Sequence, residues 1–235
     1  LTLIRALDRA QYEPIVWCIR RSSASALFEE HGIRVIYQTD VTPFLHISDG
    51  FYGIRHPHRV VKMLWAQWRS YRAARAVFAA VQPEMIHINS VVVPGVLAAA
   101  ARQSCPVVLN VLECVHPGYC GLRAAWLRRL SRRWADAFVF MLPSEARRWG
   151  FQDDPRAISV FDFIPAPTLA GEPDVDLRRA CGVADDVPLI GYFGRFTKAK
   201  GVHLLLRALG ILRRRGVVFH AVFVGPVPAA PAPSW

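Results

Sequence analysis

The sequence predicts a parallel, doubly wound α/β protein in two unequal parts: a nearly complete first domain and the opening β-α-β of a second. Three observations predict this. Apolar, β-rich runs alternate with helical patterns along the chain. The strand runs are apolar throughout, as strands covered on both faces are. A weakly patterned stretch with Pro165, Pro167, Gly171 and Pro173 then interrupts the alternation, and a fresh strand–loop–helix–strand follows it.

Leu3, Ile4 and Leu7 open the chain as a helical stripe, and because the first residue is Leu1 rather than Met, further residues are expected upstream. Residues 15–19 read as a buried strand, 25–31 as a helix stopped by Gly32, 33–37 as the next strand and 38–56 as loop. A long helix is expected from Pro57 until Pro83 ends it, with Val61, Leu64, Trp65, Trp68, Tyr71 and Phe78 forming one apolar face. Residues 85–88 give a short strand with Asn89 and Ser90 at its carboxyl end, 96–102 a helix, and 107–112 a strand followed by a His-Pro-Gly loop. Residues 122–134 form a strongly basic helix, 137–141 a strand, Ser144 opens a short helix and 158–161 form another strand. The first domain is thus residues 1–165, and 166–180 the linker, at whose end a helix (177–181) begins. The second domain starts over 181–225, with a strand at 189–193, a basic loop at 194–201, a helix at 202–215 and a strand at 219–224. Residues 226–235 are a Pro/Ala-rich tail.

Lys plus Arg is 29 and Asp plus Glu is 18, a net charge of +11 over 235 residues of which 53% are hydrophobic. That composition is globular and favours anionic partners, such as nucleotide phosphates or anionic lipid head groups. Nothing looks like a groove-reading module, so nucleic acid is not expected. No stretch approaches the roughly 20 apolar residues of a membrane span. Cys18, Cys105, Cys114, Cys120 and Cys181 are odd in number and lack CxxC spacing, so they read as reduced thiols of a cytoplasmic protein. No metal is expected, since Cys114, His116 and Cys120 lack a second paired set of ligands.

The most informative segment is Gly191-Tyr-Phe-Gly194-Arg195-Phe-Thr-Lys198-Ala-Lys200-Gly201-Val202. A strand delivers a glycine, then an arginine, then a Lys-Gly pair that opens a helix. Glycine lets backbone N–H groups approach an anion, and the helix start carries partial positive charge. Arg195 offers a bidentate grip on phosphate oxygens and Lys200 a point charge. The bland alternative is an ordinary basic turn.

With its flanking strands and helix, this segment resembles the Gly-Arg-x-x-x-x-Lys-Gly pattern of family 4 glycosyltransferases, retaining enzymes of GT-B fold. Gly194, Arg195, Lys200 and Gly201 match it, and Leu204-Leu205-Leu206-Arg207-Ala208-Leu209 and Phe223-Val224-Gly225 fit the helix and strand that follow. In the first domain, Glu29-Glu30-His31-Gly32-Ile33-Arg34-Val35, Pro83-Glu84-Met85-Ile86-His87-Ile88 and Ala135-Asp136-Ala137 with Ser144 are similar to the family's helix end, "Pro-Asp-hydrophobic-hydrophobic-His" strand and hinge approach. The likeness spans nearly all of residues 1–225. It implies two Rossmann-like domains and transfer of a sugar from a nucleotide diphosphate donor (UDP- or GDP-sugar) to an acceptor hydroxyl, with retention and without a metal. The products would be polysaccharide, glycolipid or cell-envelope glycan, and the acceptor a carbohydrate or a lipid-linked one. Arg195 and Lys200 would hold the donor diphosphate, with Gly194 and Gly201, and stabilise the departing nucleotide.

The chain departs from the family in three places. The glycine-rich loop after the family's first strand would precede Leu1, and the Glu-x7-Glu element would follow Gly225. Leu112 stands where many members have a strand-end histidine, with Glu113 next and His116 in the loop beyond. His116 is either a sugar-binding substitute or a surface-loop histidine, and Glu113 either a cleft carboxylate or a solvated loop acid. His87 reads as a packed histidine, while Asn89 could reach the cleft. The basic helix aligns Leu122, Trp126, Leu130 and Trp134, which would serve either peripheral contact with the cytoplasmic face of a membrane or core packing. The expectation is therefore a fragment truncated at both ends, weakly active or inactive. The alternative is a non-catalytic α/β binding or scaffolding module derived from such an enzyme.

Overall fold

A computed structural model of the chain describes residues 2–44, 57–113, 115, 119–161 and 176–226. The chain divides into two compact units, Leu1–Asp162 and Phe163–Trp235. The loop expected over 45–56, most of the linker expected over 166–180 and the Pro/Ala-rich tail beyond Pro226 lie outside the described residues.

Unit 1 runs α1 (Thr2–Ala6), β1 (Ile15–Cys18), α2 (Ser23–Glu30), β2 (Arg34–Tyr37), α3 (Pro57–Val81), β3 (Ile86–Ile88), α4 (Pro94–Ala100), β4 (Val107–Val111), α5 (Leu122–Trp134), β5 (Ala137–Phe140), α6 (Pro143–Trp149) and β6 (Ala157–Ser159). Every strand pairing is parallel. The pattern that predicted strand–helix alternation therefore reads correctly, with boundaries moved by one or two residues. The apolar runs form the strands because β-branched and aromatic residues suit a covered sheet, and burial is deepest in the central β4 and β5, whose residues are all buried or half-buried. Local chemistry sets the helix starts. In α2, Ser22 and Ser25 cap each other reciprocally, each side-chain oxygen accepting from the other's backbone N–H.

The strands form two sheets, β1-β2 and β3-β4-β5-β6. This differs from one continuous sheet. Among the described residues no strand pairs with both β1 and β3, so the two sheets share a core without sharing a ladder. Trp17 of β1 packs edge-on against Phe78 of α3, with ring centroids 6.0 Å apart. The deepest layer is aromatic. Phe138 and Phe140 of β5 flank Phe151, at 4.4 Å and 5.6 Å between centroids.

Helix α3 spans the expected residues, but its buried face is not the expected apolar one. Tyr71 is half-buried and Phe78 buried, whereas Val61, Leu64, Trp65 and Trp68 are exposed. The buried side carries Gln67, Ser70, Ala73, Ala74 and Phe78. The reason is hydrogen bonding. Gln67 donates through Nε2 to the Thr42 carbonyl (2.9 Å) and accepts through Oε1 from the Gly95 amide (3.2 Å), while Ser70 Oγ accepts from the Thr42 amide (3.0 Å). These two polar residues tie α3 to the loop after β2 and to the start of α4. Backbone groups there would otherwise be buried unpaired.

Helix α5 is likewise rotated from its sequence reading. Arg123, Leu127 and Ser131 are buried, Leu130 and Trp134 half-buried, and Leu122 and Trp126 exposed. Its end is pinned by Arg156. That guanidinium donates to Asp154 through Nε (3.1 Å) and Nη2 (2.9 Å), and through Nη1 to the carbonyls of Arg132 (3.2 Å) and Ala135 (3.3 Å). The hydrogen bonds from Arg156 hold the Asp154 carboxyl below the ordinary carboxylate range. A depressed acid stabilises above its unfolded pKa, and the gain is lost as pH falls through the folded value. Asp154→Asn is therefore expected to lower the melting temperature at neutral pH. It should also flatten the loss of stability at pH values below the ordinary carboxylate range, as read by thermal melts across a pH series.

Unit 2 contains α7 (Leu177–Ala180), β7 (Leu189–Phe193), α8 (Val202–Arg214) and β8 (His220–Val224). Asp176 caps α7, accepting from the amides of Arg178 and Arg179. β7 and β8 pair in parallel through α8, the β-loop-α-β expected from the sequence. Tyr192, Phe196 and Phe223 cluster, with centroids 5.7–6.4 Å apart. Phe193, Leu204, Leu206 and Val218 remain exposed.

Among the described residues no helix is long and apolar enough to cross a membrane. Cys18, Cys105, Cys120 and Cys181 are free thiols; Cys114 lies outside the described residues.

Candidate functional site

In parallel α/β sheets ligands gather beyond the carboxyl ends of the strands. In unit 2 those ends meet at a pair of glycines. The Gly194 amide donates to the Val224 carbonyl at 2.9 Å, continuing the β7–β8 ladder by one step. Gly194 has φ +152° and Gly225 φ +157°, and a Cβ on Gly225 would collide with the Gly194 carbonyl. Any larger residue at 225 would push the two loop mouths apart.

From Gly194 the chain turns back tightly. The Arg195 carbonyl accepts from Tyr192 Oη and from the Thr197 amide, both at 2.8 Å. Lys198–Lys200 form one 3₁₀ turn, and Gly201, at φ +73°, hands over to α8. That left-handed conformation suits glycine and disfavours other residues. Helix α8 has no side-chain N-cap. Its first N–H groups therefore lack the side-chain acceptor that usually satisfies them, and the helix dipole adds partial positive charge there.

Arg195 and Lys200 are exposed on this loop. Among the described residues neither side chain has a hydrogen-bond or ion-pair partner. Two unpaired cations beside an uncapped helix start make a basic cradle whose chemistry suits an anion such as a diphosphate. Gly194, Arg195, Lys200 and Gly201 thus come together in one loop. Sequence reasoning missed His203, in the first turn of α8. Its Nδ1 is buried without a hydrogen-bond partner, close in sequence to the cradle.

In unit 1 the carboxyl rim carries Asn89, Ser90 and Glu113. Asn110 Nδ2 donates to Asn89 Oδ1 at 3.3 Å. Ser90 Oγ donates to Glu113 Oε1, and the Val91 amide donates to Oε2 at 3.2 Å. Glu113 therefore clamps the loop between β3 and α4 to the end of β4. It is not a freely solvated loop acid. Glu113→Ala leaves the Ser90 hydroxyl and Val91 amide without their acceptor, at an expected cost of about 1–3 kcal/mol. Urea denaturation would measure this, and a full-stability Glu113→Ala protein would contradict the clamp.

His87 lies on the outward face of β3 and is exposed rather than packed, although partial burial holds its imidazole below the ordinary value. Leu112 is exposed at the end of β4. His116 lies outside the described residues. Asp136 accepts from the Val107 amide at 2.8 Å, a structural bond at the amino end of β4.

One recess of unit 1 is strongly basic. It is lined by Arg128, Arg129, Arg132 and Arg133 of α5 with Trp149 and Gly150. It sits where α5 runs into β5, toward the amino ends of the strands and away from the rim.

No family model matches the chain. No curated protein matches it either. Solved structures do. HepE (Alr3699) from Anabaena in complex with UDP-glucose matches with a TM-score of 0.59 at 16% identity, over 90% of this chain and 60% of that one. The same protein with UDP and glucose matches with a TM-score of 0.59 at 17% identity, over 90% and 61%. The chain thus spans about three fifths of the length of these structures. At such identity the likeness establishes the fold, and the two-part, GT-B-like α/β class expected from the sequence holds.

Proposed function

We propose that this chain belongs to a nucleotide-sugar-dependent glycosyltransferase of the family 4 type, with retention, and that the Gly194–Gly201 loop grips the donor diphosphate. The observation that carries this reading is the cradle itself. Arg195 and Lys200 stand unpaired beside the uncapped start of α8, at the mouth formed by Gly194 and Gly225. The likeness to a fold solved with UDP-glucose supports it.

In this reading the departing nucleoside diphosphate gains negative charge as the glycosidic bond to it breaks. Arg195 hydrogen-bonds that charge through its planar fork, Lys200 adds a point charge, and the α8 amides add fixed dipoles. These groups stabilise the leaving group in the place a metal would otherwise occupy. The sugar passes to an acceptor hydroxyl, and the products would belong to polysaccharide, glycolipid or cell-envelope glycan. Glu113 holds the rim of the acceptor-side unit in shape, and His116 remains a candidate for contact with a sugar hydroxyl.

The test is to incubate the protein with a panel of UDP- and GDP-sugars and follow released or transferred sugar by NMR. Donor binding with weak or no turnover is expected of this chain, which spans about three fifths of its structural neighbours' length, and any product formed should keep the donor's anomeric configuration. Inverted product would overturn retention. Binding without turnover by the full-length parent would favour the second reading, a binding or scaffolding module that keeps the diphosphate cradle.

A further inference from the structure

We infer that the recess between α5 and α6 is a second anion site, one that takes a compact soluble polyphosphate such as inorganic pyrophosphate. It lies in unit 1 and does not rest on sugar transfer.

The first observation is composition. Arg128, Arg129, Arg132 and Arg133 line the recess with Trp149 and Gly150, and no Asp or Glu lines it among the described residues. Helix α5 itself contains no acid, so nothing on it offsets the four charges. Like charges around one hollow repel each other, and a bound anion removes that repulsion. Their sequence positions make two adjacent rows, Arg128 with Arg132 and Arg129 with Arg133, each about 6 Å along the helix axis.

The second observation is preorganisation. Arg128 donates through Nη1 to the Arg148 carbonyl at 3.4 Å, and Arg132 donates through Nη2 to the Gly150 carbonyl. The Arg132 guanidinium also lies over the Phe151 ring, 4.5 Å from its centroid. Gly150 ends α6 in a left-handed turn at φ +71°, and a Cβ there would come within 3.2 Å of Arg132 Nη2. These contacts cap α6, an ordinary use of cations at a helix end. Each leaves its guanidinium further N–H donors, now held in place for a ligand.

The third observation is the row that capping does not explain. Arg129 and Arg133 are exposed and, among the described residues, make no hydrogen bond or ion pair. The neighbouring acids are engaged elsewhere, Asp154 with Arg156 and Asp136 with the Val107 amide.

The ligand class follows from what the lining lacks. Trp149 is only 5% exposed, so its ring is a floor and not a stacking face for a base. No amide, hydroxyl or carboxylate side chain lines the recess to read a sugar. Guanidiniums over an apolar floor recognise charge and oxygen geometry alone. Each fork takes a pair of oxygens, so four forks call for more oxygens than a single phosphate carries. Linked phosphates supply them.

The experiment is an NMR titration of amide and arginine Nε–Hε signals in the full chain, with inorganic pyrophosphate and inorganic phosphate as probes. It is repeated in Arg195→Ala, where the Gly194–Gly201 loop is disabled. In both proteins pyrophosphate is expected to shift the four arginine signals and the Gly150 amide saturably, and phosphate to do so more weakly. Arg129→Ala/Arg133→Ala is expected to bind pyrophosphate about tenfold or more weakly. Its melting temperature should not change, because both side chains are exposed and unpaired. Arg213→Ala/Arg214→Ala removes equal charge from exposed positions of α8 and should leave the recess affinity unchanged. Undiminished pyrophosphate binding by the Arg129/Arg133 variant would overturn the inference. So would an equal loss in the α8 variant, which would mark bulk charge as the cause. A third contrary result is the absence of saturable recess shifts at millimolar pyrophosphate, whether or not phosphatidylglycerol vesicles shift the same signals.

Discussion

Arg195→Ala is expected to weaken binding of UDP or GDP by about 10- to 100-fold, the loss of charge-assisted hydrogen bonds worth roughly 1.5–3 kcal/mol. The melting temperature should not change, because the Arg195 side chain has no partner among the described residues. That separation of binding from stability makes the variant informative. Arg195→Lys should recover only part of the loss, since an ammonium keeps the charge but not the bidentate fork. Lys200→Ala should weaken binding less than Arg195→Ala and steepen no further with salt. Gly225→Ala acts by another route, forcing a Cβ against the Gly194 carbonyl, and should lower both affinity and the stability of unit 2. Titration calorimetry with each nucleotide, beside thermal melts, would check all four.

Phe138→Ala is expected to destabilise unit 1 by about 3–5 kcal/mol. Phe138 is wholly buried in β5, 4.4 Å from the Phe151 ring, and the Arg156 guanidinium lies 5.2 Å above it. Removing the ring opens a cavity beneath the Asp154–Arg156 pair and the end of α5. A loss of that size is a large share of the roughly 5–15 kcal/mol that holds a domain folded. Phe138→Leu, which keeps most of the volume, should cost far less. Urea denaturation of the two variants would show whether the aromatic layer is the centre of the core; equal small losses would show that it is not.

The fold was legible because it rests on local signals. Residues 122–134 and 189–193 are a helix and a strand as read from the sequence, and the glycine-flanked loop between β7 and α8 stands where its residues implied. Periodicity, however, identifies a stripe without saying what the stripe faces. In α3 the stripe is exposed, because Gln67 and Ser70 are needed inside to satisfy Thr42 and Gly95 backbone groups. In α5 the true inner line is Arg123, Leu127 and Ser131, one position round from the apolar one. Both outcomes depend on tertiary partners far away in sequence. The residues proposed for the diphosphate could be picked out because they are contiguous in sequence. The Glu113 clamp could not, since its partners Ser90 and Val91 lie 23 and 22 residues earlier. His203 was passed over because its unpaired nitrogen is a fact of burial, not of residue type.

The most direct measurement is an amide NMR titration of the protein with UDP and GDP. The diphosphate cradle predicts saturable shifts concentrated at Gly194, Arg195, Gly201, Val202 and His203, abolished by Arg195→Ala at the same nucleotide concentration. No shifts at millimolar nucleotide, or shifts centred on the arginine recess of α5 with the Gly194–Gly201 loop unmoved, would contradict it.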